Sequence, residues 1–234
     1  MSGKVLVLGA SGGIGRAIVS ELIAAGHQVI AVARNREGLD ALAERIAAPQ
    51  KLTLLQGSVA TDADAGRLVK EVRALRGRVT TVIASVGGPI EGGRLIDRPA
   101  SFLSRTFEDN VVTHFIAAKH LLPLLAEAGR DGLYILFGSP AAECTWAGYG
   151  HLSVSAVALR MLIQVLREET KELPVSVQQL QLGTPVRTEK NTKCACPDWT
   201  GADEVARRVV DLIRNPEAAE PIVRLGSYAR CTDK

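Results

Sequence analysis

Val5-Leu6-Val7-Leu8 runs straight into Gly9-Ala10-Ser11-Gly12-Gly13-Ile14-Gly15, and apolar residues then recur at Ile14, Ala17, Ile18, Leu22 and Ala25. The four apolar residues read as a buried strand. The spacing after them reads as one face of a helix, stopped by Gly26. A glycine-rich turn that closes a strand and opens a helix lets the backbone turn tightly. It also aims backbone N–H groups and the positive end of the helix at an anion such as a pyrophosphate. Gly9, Ser11, Gly12, Gly13, Ile14 and Gly15 are therefore candidate binding residues.

The same alternation continues to the end of the chain. Apolar runs at Val29–Val32, Leu52–Leu55, Val79–Ser85, Leu133–Phe137, Val175–Leu182 and Pro221–Leu225 read as strands. Helical patterns lie between them at Glu37–Ala48, Thr61 to about Arg76, Ser101–Glu127, Ser153–Leu173 and Asp203–Ile213. Thr61 with Asp64 resembles a capping box. Strands and helices alternating at this spacing form βαβ units. The expected fold is α/β: one Rossmann-type doubly wound domain over residues 1–234, with about seven parallel strands and helices on both faces. No low-complexity linker or internal repeat divides it.

Composition agrees. The 234 residues are 47% hydrophobic and 4% aromatic. The core must therefore be aliphatic, as strands buried on both faces require. A chain of this length buries roughly 70–75% of its extended surface and needs no disulfide or metal staple. The net charge of +3 is small and scattered, which argues against a nucleic-acid partner. No apolar stretch reaches membrane-spanning length, and none resembles a signal segment. Cys144, Cys194, Cys196 and Cys231 fit no zinc spacing and no redox CxxC, so reduced thiols, a cytoplasmic location and no metal are expected.

The end of the second strand selects the nucleotide. An NAD site places a carboxylate there to hold the ribose hydroxyls. This chain has Ala33-Arg34-Asn35-Arg36 instead. A guanidinium at Arg34, helped by Arg36 and by Arg16 in the first helical turn, suits a 2′-phosphate. The expected cofactor is NADP(H).

With these residues the chain resembles the short-chain dehydrogenase/reductase family over nearly its whole length. Gly9, Gly13 and Gly15 are similar to that family's TGxxxGxG, with Leu8 in place of Thr. Ser11 and Arg34 resemble its NADP-preferring members. The resemblance places Asn110 in the slot of the family's helix-four asparagine and Ser139 in the slot of its catalytic serine. Gly183-Thr184-Pro185-Val186-Arg187-Thr188 resembles PGxVxT, with Leu182 replacing the proline. Ala84-Ser85-Val86-Gly87 stands for NNAG. Ser58, beside Val59, stands where an aspartate meets the adenine. Val59 and Gly87 complete the implied cofactor set.

The departures fall on the chemistry. Leu152-Ser153-Val154-Ser155-Ala156 aligns with the family's YxxxK, so Leu152 holds the Tyr slot and Ala156 the Lys slot. Reducing a carbonyl by hydride needs a proton at the oxygen, and proton donation by a positioned group is typically worth about 10²–10⁴-fold. Leucine and alanine can neither donate a proton nor tune one. Tyr149 and His151, just before the lost Tyr slot, are the candidate substitutes, with Ser139 and Asn110 retained. His114 and His120 read as ordinary helix histidines.

The segment 186–200 reads as a mobile loop over a small-molecule ligand, with Trp146 and Trp199 facing one cleft. The helices at 101–127 and 153–173 are the expected contacts of a homodimer or homotetramer. Two functional classes stand: an atypical carbonyl or alcohol oxidoreductase, and a catalytically silent NADP(H)-binding sensor, regulator or assembly partner.

Overall fold

A computed structural model describes residues 3–129, 132–215 and 221–226. The first half of the chain forms β1 (Lys4–Leu8), α1 (Gly13–Ala24), β2 (Gln28–Ala33), α2 (Arg36–Ala43), β3 (Leu52–Gln56), α3 (Asp62–Ala74) and β4 (Val79–Ala84). α4 (Ala100–Phe107), α5 (Thr113–Ala126), β5 (Gly132–Gly138), α6 (Gly150–Glu169) and β6 (Val175–Leu182) follow. The chain then adds β7 (Val186–Arg187), β8 (Thr200–Gly201), α7 (Ala202–Arg214) and β9 (Ile222–Leu225).

Seven strands form one parallel sheet in the order β3-β2-β1-β4-β5-β6-β9, and β7 and β8 pair separately. The order reverses between β1 and β4, and the crevice at the carboxyl ends of these two strands is where such sheets bind ligands. Successive side chains of a strand face opposite sides. Val5 and Val7 thus pack into a layer built on α1, α2 and α7, while Leu6 and Leu8 pack into one built on α3, α5 and α6. The near-continuous apolar strands are the sequence counterpart of this two-sided burial.

Local signals act as the residues dictate. Gly26 takes φ 95° after α1, a left-handed conformation that costs a glycine little. Thr61 Oγ1 accepts from the Asp64 amide at 3.1 Å and starts α3.

Three expected helices have different bounds. α2 stops at Ala43 rather than Ala48, because the chain tightens into i→i−3 bonds that return Ile46 to the core. The long helix read over 101–127 is interrupted by a π turn at Glu108–Val112, where Thr113 Oγ1 donates back to the Glu108 carbonyl at 2.8 Å. α6 begins at Gly150, before Ser153. The Ser153 hydroxyl does not cap it but donates to the Cys144 carbonyl at 3.2 Å, pinning the preceding loop to the helix. Cys144 is disulfide-bonded, which corrects the expectation of four reduced thiols; Cys194 and Cys196 are free. Cys231 lies outside the described residues. Among the described residues no helix is long and apolar enough to cross a membrane.

Candidate functional site

The glycine turn at the tip of β1 is shaped by close approaches that a side chain would block. Gly9 has φ 72°, and a Cβ there would lie 2.0 Å from the Ser85 carbonyl oxygen. A Cβ on Gly15 would lie 2.2 Å from the Gly9 carbonyl oxygen. The Gly12 amide donates to Gly9 at 2.9 Å, and the Ala10 amide donates to Val32 at 3.0 Å. α1 opens without a side-chain cap and without an acidic residue in its first turn. Its N-terminal N–H groups are left for an external anion. This bare, positively polarised cradle fits the pyrophosphate of a dinucleotide.

The ribose end is built at the tip of β2. Arg34 is exposed and forms no ion pair among the described residues, while its carbonyl accepts from Gln56 Nε2 at 3.1 Å. Asn35 Oδ1 caps α2 by accepting from the Glu37 amide at 2.8 Å. Arg36 is engaged with Asp40 at 3.0 Å, a solvent-exposed i,i+4 pair. Ser58 Oγ accepts from the Ala60 amide at 3.1 Å, and Val59 is buried beside it.

Asn110 and His114 grip the segment after β4. Asn110 Oδ1 accepts from the Gly88 amide at 2.9 Å, and a Cβ on Gly87 would lie 3.0 Å from the same oxygen. His114 Nε2 lies 3.2 Å from the Val86 carbonyl. Burial lowers the His114 pKa to about 4 against the opposing effect of that backbone contact, so the ring is neutral and donates. The π turn gives Asn110 its place, and the helical spacing puts His114 one turn later.

Ser139 follows β5. Its hydroxyl oxygen accepts from the Ala141 amide at 3.2 Å, and its carbonyl accepts from Gln181 Nε2 at 2.8 Å. Gln179 Nε2 donates to Gln181 Oε1 at 2.9 Å, and Arg160 reaches the same oxygen at 3.4 Å while forming an ion pair with Glu143. Both glutamines are fully buried against Gly138, where a Cβ would lie 1.9 Å from Gln179 Nε2. Leu152, Ala156 and Arg160 recur every four residues, so they share one stripe of α6. Arg160 is the first charged side chain on the stripe that carries the lost Tyr and Lys slots. Sequence reading missed Arg160, Gln179 and Gln181. Their signal was a charge at four-residue spacing from Ala156 and glutamines inside an otherwise apolar strand.

The candidate substitutes lie on other faces. His151 belongs to the buried stripe of α6 with Ser155, Leu159, Ile163 and Leu166. It is 1% exposed, its ring packs edge-on to Phe102 at 4.7 Å, and among the described residues neither ring nitrogen has a hydrogen-bond partner. Burial first, and then the nearby Arg98 charge, push its pKa down, with Glu91 opposing. Tyr149 is exposed, sits edge-on to Trp146 at 6.3 Å, and places its hydroxyl against Gly92. Trp199 instead lines a cavity of about 390 Å³ beside α7 with Arg187 and Arg207, so the two tryptophans face different elements.

The segment after β6 returns to the glycine turn. β7 pairs with β8 at its base, and the Thr184 and Thr200 hydroxyls meet at 2.8 Å. Thr188 packs against Gly13, where a Cβ would lie 2.7 Å from Thr188 Cβ. Lys190 Nζ donates to the Ser11 carbonyl at 3.0 Å, and Glu189 forms a two-pronged pair with Arg45 of the α2 C-terminal turn at 2.6 Å.

A sequence model described as short chain dehydrogenase matches residues 3–195. The chain is 29% identical over 174 residues to a rhamnolipids biosynthesis 3-oxoacyl-[acyl-carrier-protein] reductase of Pseudomonas aeruginosa, covering 72% of this chain and 68% of that one. It is 24% identical over 190 residues to an NADPH-dependent pterin aldehyde reductase of Arabidopsis thaliana, covering 81% and 77%. Its fold matches a short-chain type dehydrogenase/reductase from Mycobacterium ulcerans with TM-score 0.84 at 23% identity, over 96% of this chain and 88% of that one. It also matches an alcohol dehydrogenase from Thermococcus sibiricus complexed with 5-hydroxy-NADP, with TM-score 0.82 at 23% identity, over 98% and 99%.

Proposed function

The chain belongs to the short-chain dehydrogenase family, and from this premise we propose that it binds NADP(H) and acts as an atypical oxidoreductase on a carbonyl/alcohol pair. The observation that carries the reading is the bare glycine cradle at the head of α1 with Arg34, without an ion pair among the described residues, at the tip of β2. An uncapped helix start suits the pyrophosphate, and a forked cation suits a 2′-phosphate. The relatives named for NADPH-dependent aldehyde reduction and for an NADP complex support the same cofactor.

The bound cofactor supplies or accepts hydride. The chain's own task is the proton. With Leu152 and Ala156 in the family's Tyr and Lys slots, one candidate for that task is His151, buried on another stripe of α6, whose two ring nitrogens lack partners among the described residues. A neutral imidazole takes a proton from an alcohol more readily than it gives one to a carbonyl. Ser139 would donate its hydroxyl proton to the substrate oxygen while its oxygen still accepts from the Ala141 amide. Tyr149 or water is the competing proton source.

One observation favours a silent binding protein. Arg160, four residues beyond the lost Lys slot on the same stripe, is engaged by Glu143 and Gln181, and the Ser139 hydroxyl oxygen accepts from the Ala141 amide. Calorimetric titration with NADPH and NADH tests the cofactor reading, with tight NADPH binding as the expected result. Aldehydes, ketones and quinones offered with NADPH then separate the two classes. Turnover abolished by His151→Ala supports the oxidoreductase, and a flat panel despite tight binding supports the silent protein.

A second copy of the chain is the proposed partner. Val154, Val157, Met161 and Val165 form an exposed apolar stripe on α6, and Val112 and Phe115 are exposed beside the start of α5. The stripe is separate from the α6 face already buried on the sheet, which is the pattern of a helix buried on two sides.

A further inference from the structure

The strap formed by residues 187–192 brings a cation to the glycine turn from a part of the chain far from both the turn and the tip of β2. Lys190 Nζ and Arg16 Nε both donate to one acceptor, the Ser11 carbonyl, each at 3.0 Å. A single carbonyl cannot neutralise two full charges, and the ammonium keeps donors to spare. Glu189, next to Lys190 in the strap, is held by both Arg45 guanidinium nitrogens at 2.6 Å. The Arg45 hydrogen bonds dominate the lowering of the Glu189 pKa, and Arg16 adds a smaller effect from a distance. On its other side Ser11 faces the first turn of α2, where a Cβ on Gly38 would lie 2.9 Å from Ser11 Cβ. That turn follows Arg34, which has no ion pair among the described residues. The Ser11 carbonyl is thus shared by Lys190 from the strap and Arg16 from α1, the Ser11 side chain faces the turn that Arg34 precedes in the chain, and Glu189 is already taken by Arg45.

Resting on the cofactor reading above, we propose that Lys190 is a specificity-determining residue, a strap-borne ligand for the 2′-phosphate of NADP(H). A dianionic phosphate arriving at Ser11 gives the Lys190 ammonium a charged acceptor in place of a shared neutral one, and charge-assisted bonds are the stronger kind. Cofactor choice is then set by a loop that also borders the ligand side of the site. The Glu189–Arg45 pair, one residue away, holds the lysine in register.

The test is calorimetric binding of 2′,5′-ADP and of 5′-ADP to the full chain, comparing wild type with Lys190→Gln and Lys190→Arg. Lys190 is exposed, and unchanged thermal unfolding of both variants confirms the fold. The expected result is that Lys190→Gln weakens 2′,5′-ADP about tenfold, leaves 5′-ADP within about twofold, and is rescued in large part by Lys190→Arg. Equal weakening of both nucleotides overturns the proposal, because the lysine then serves the phosphate they share. Unchanged binding of both also overturns it and leaves the cofactor reading standing. A wild-type chain that binds neither nucleotide, nor NADPH, overturns both readings together.

Discussion

Gln181 Nε2 donates to the carbonyl of Ser139 at 2.8 Å, joining the tip of β5 to β6 at the slot of the family's serine. The amide is itself fixed by Gln179 and Arg160, so the backbone under Ser139 is held by a buried polar chain that reaches Glu143 at the protein surface. Such a network is strong when satisfied and costly when broken.

Gly138 makes room for that network. Alanine there would put a methyl group 1.9 Å from Gln179 Nε2 and 2.2 Å from Gln181 Oε1. Gly138→Ala is expected to lower stability by about 1–3 kcal/mol through overpacking. Combining it with Gln179→Ala recovers part of the loss. Urea unfolding of the two single variants and the double variant reads the coupling directly.

The glycine turn discriminates between its own glycines. Gly9→Ala forces a side chain into φ 72° and against the Ser85 backbone at 2.0 Å, whereas a Cβ on Gly12 meets only the Gly9 carbonyl at 3.1 Å. Gly9→Ala is expected to lose at least about 2 kcal/mol. Gly12→Ala should lose clearly less, as measured by thermal or denaturant unfolding. Equal losses would count against the geometry described.

Stability should fall on acidification before any carboxylate titrates. His114 has a folded pKa of about 4 against 6.5 when unfolded. Below 6.5 the unfolded chain takes a proton that the folded chain refuses, so stability is full above 6.5 and declines as pH falls toward 4. The loss at pH 5 is roughly 2 kcal/mol from this residue, and His151, also lowered, adds in the same direction. Denaturant midpoints at pH 7 and pH 5 measure it, and His114→Asn flattens the difference.

Arg34→Glu replaces the expected 2′-phosphate ligand with the acid that an NAD site uses. The ratio of NADPH to NADH affinity should fall by at least about tenfold, with NADH binding held or improved. Competitive titration of the two nucleotides gives the ratio, and an unchanged ratio would remove Arg34 from the cofactor site.

Met161 lies 59% exposed in the middle of the α6 apolar stripe. Met161→Glu should convert an assembly into single chains without loss of helix content, read by light scattering at micromolar concentration and by circular dichroism. A wild-type chain that already scatters as a monomer would rule out the α6 contact.

The sheet was legible because most of its strands are apolar runs, and the glycine turn because its setting between strand and helix carries the chemistry. Thr61 and Gly26 were legible because capping depends on neighbours in the chain. The π turn at Glu108–Val112 was not, since one extra residue in a helical turn leaves the apolar spacing nearly intact. The start of α6 at Gly150 rather than Ser153 was not legible either, because the Ser153 hydroxyl is used to hold the preceding loop. Arg160 could be placed beside Gln181 only once the phase of α6 and the pairing of β5 with β6 were known. Glutamines in a buried strand look wrong in sequence, because their partners come from other elements.

Ser85 closes the glycine turn by resting its carbonyl on Gly9, and β4, which delivers it, joins β1 across the middle of the sheet. During synthesis the chain grows at about 5–20 residues per second, so Ser85 leaves the ribosome about 4–15 s after Gly9. Until then the first three strands can pair, but the anion cradle has only one of its walls. Nucleotide therefore meets an incomplete site on the nascent amino-terminal half. Its full contribution to stability begins only after the fourth strand has docked.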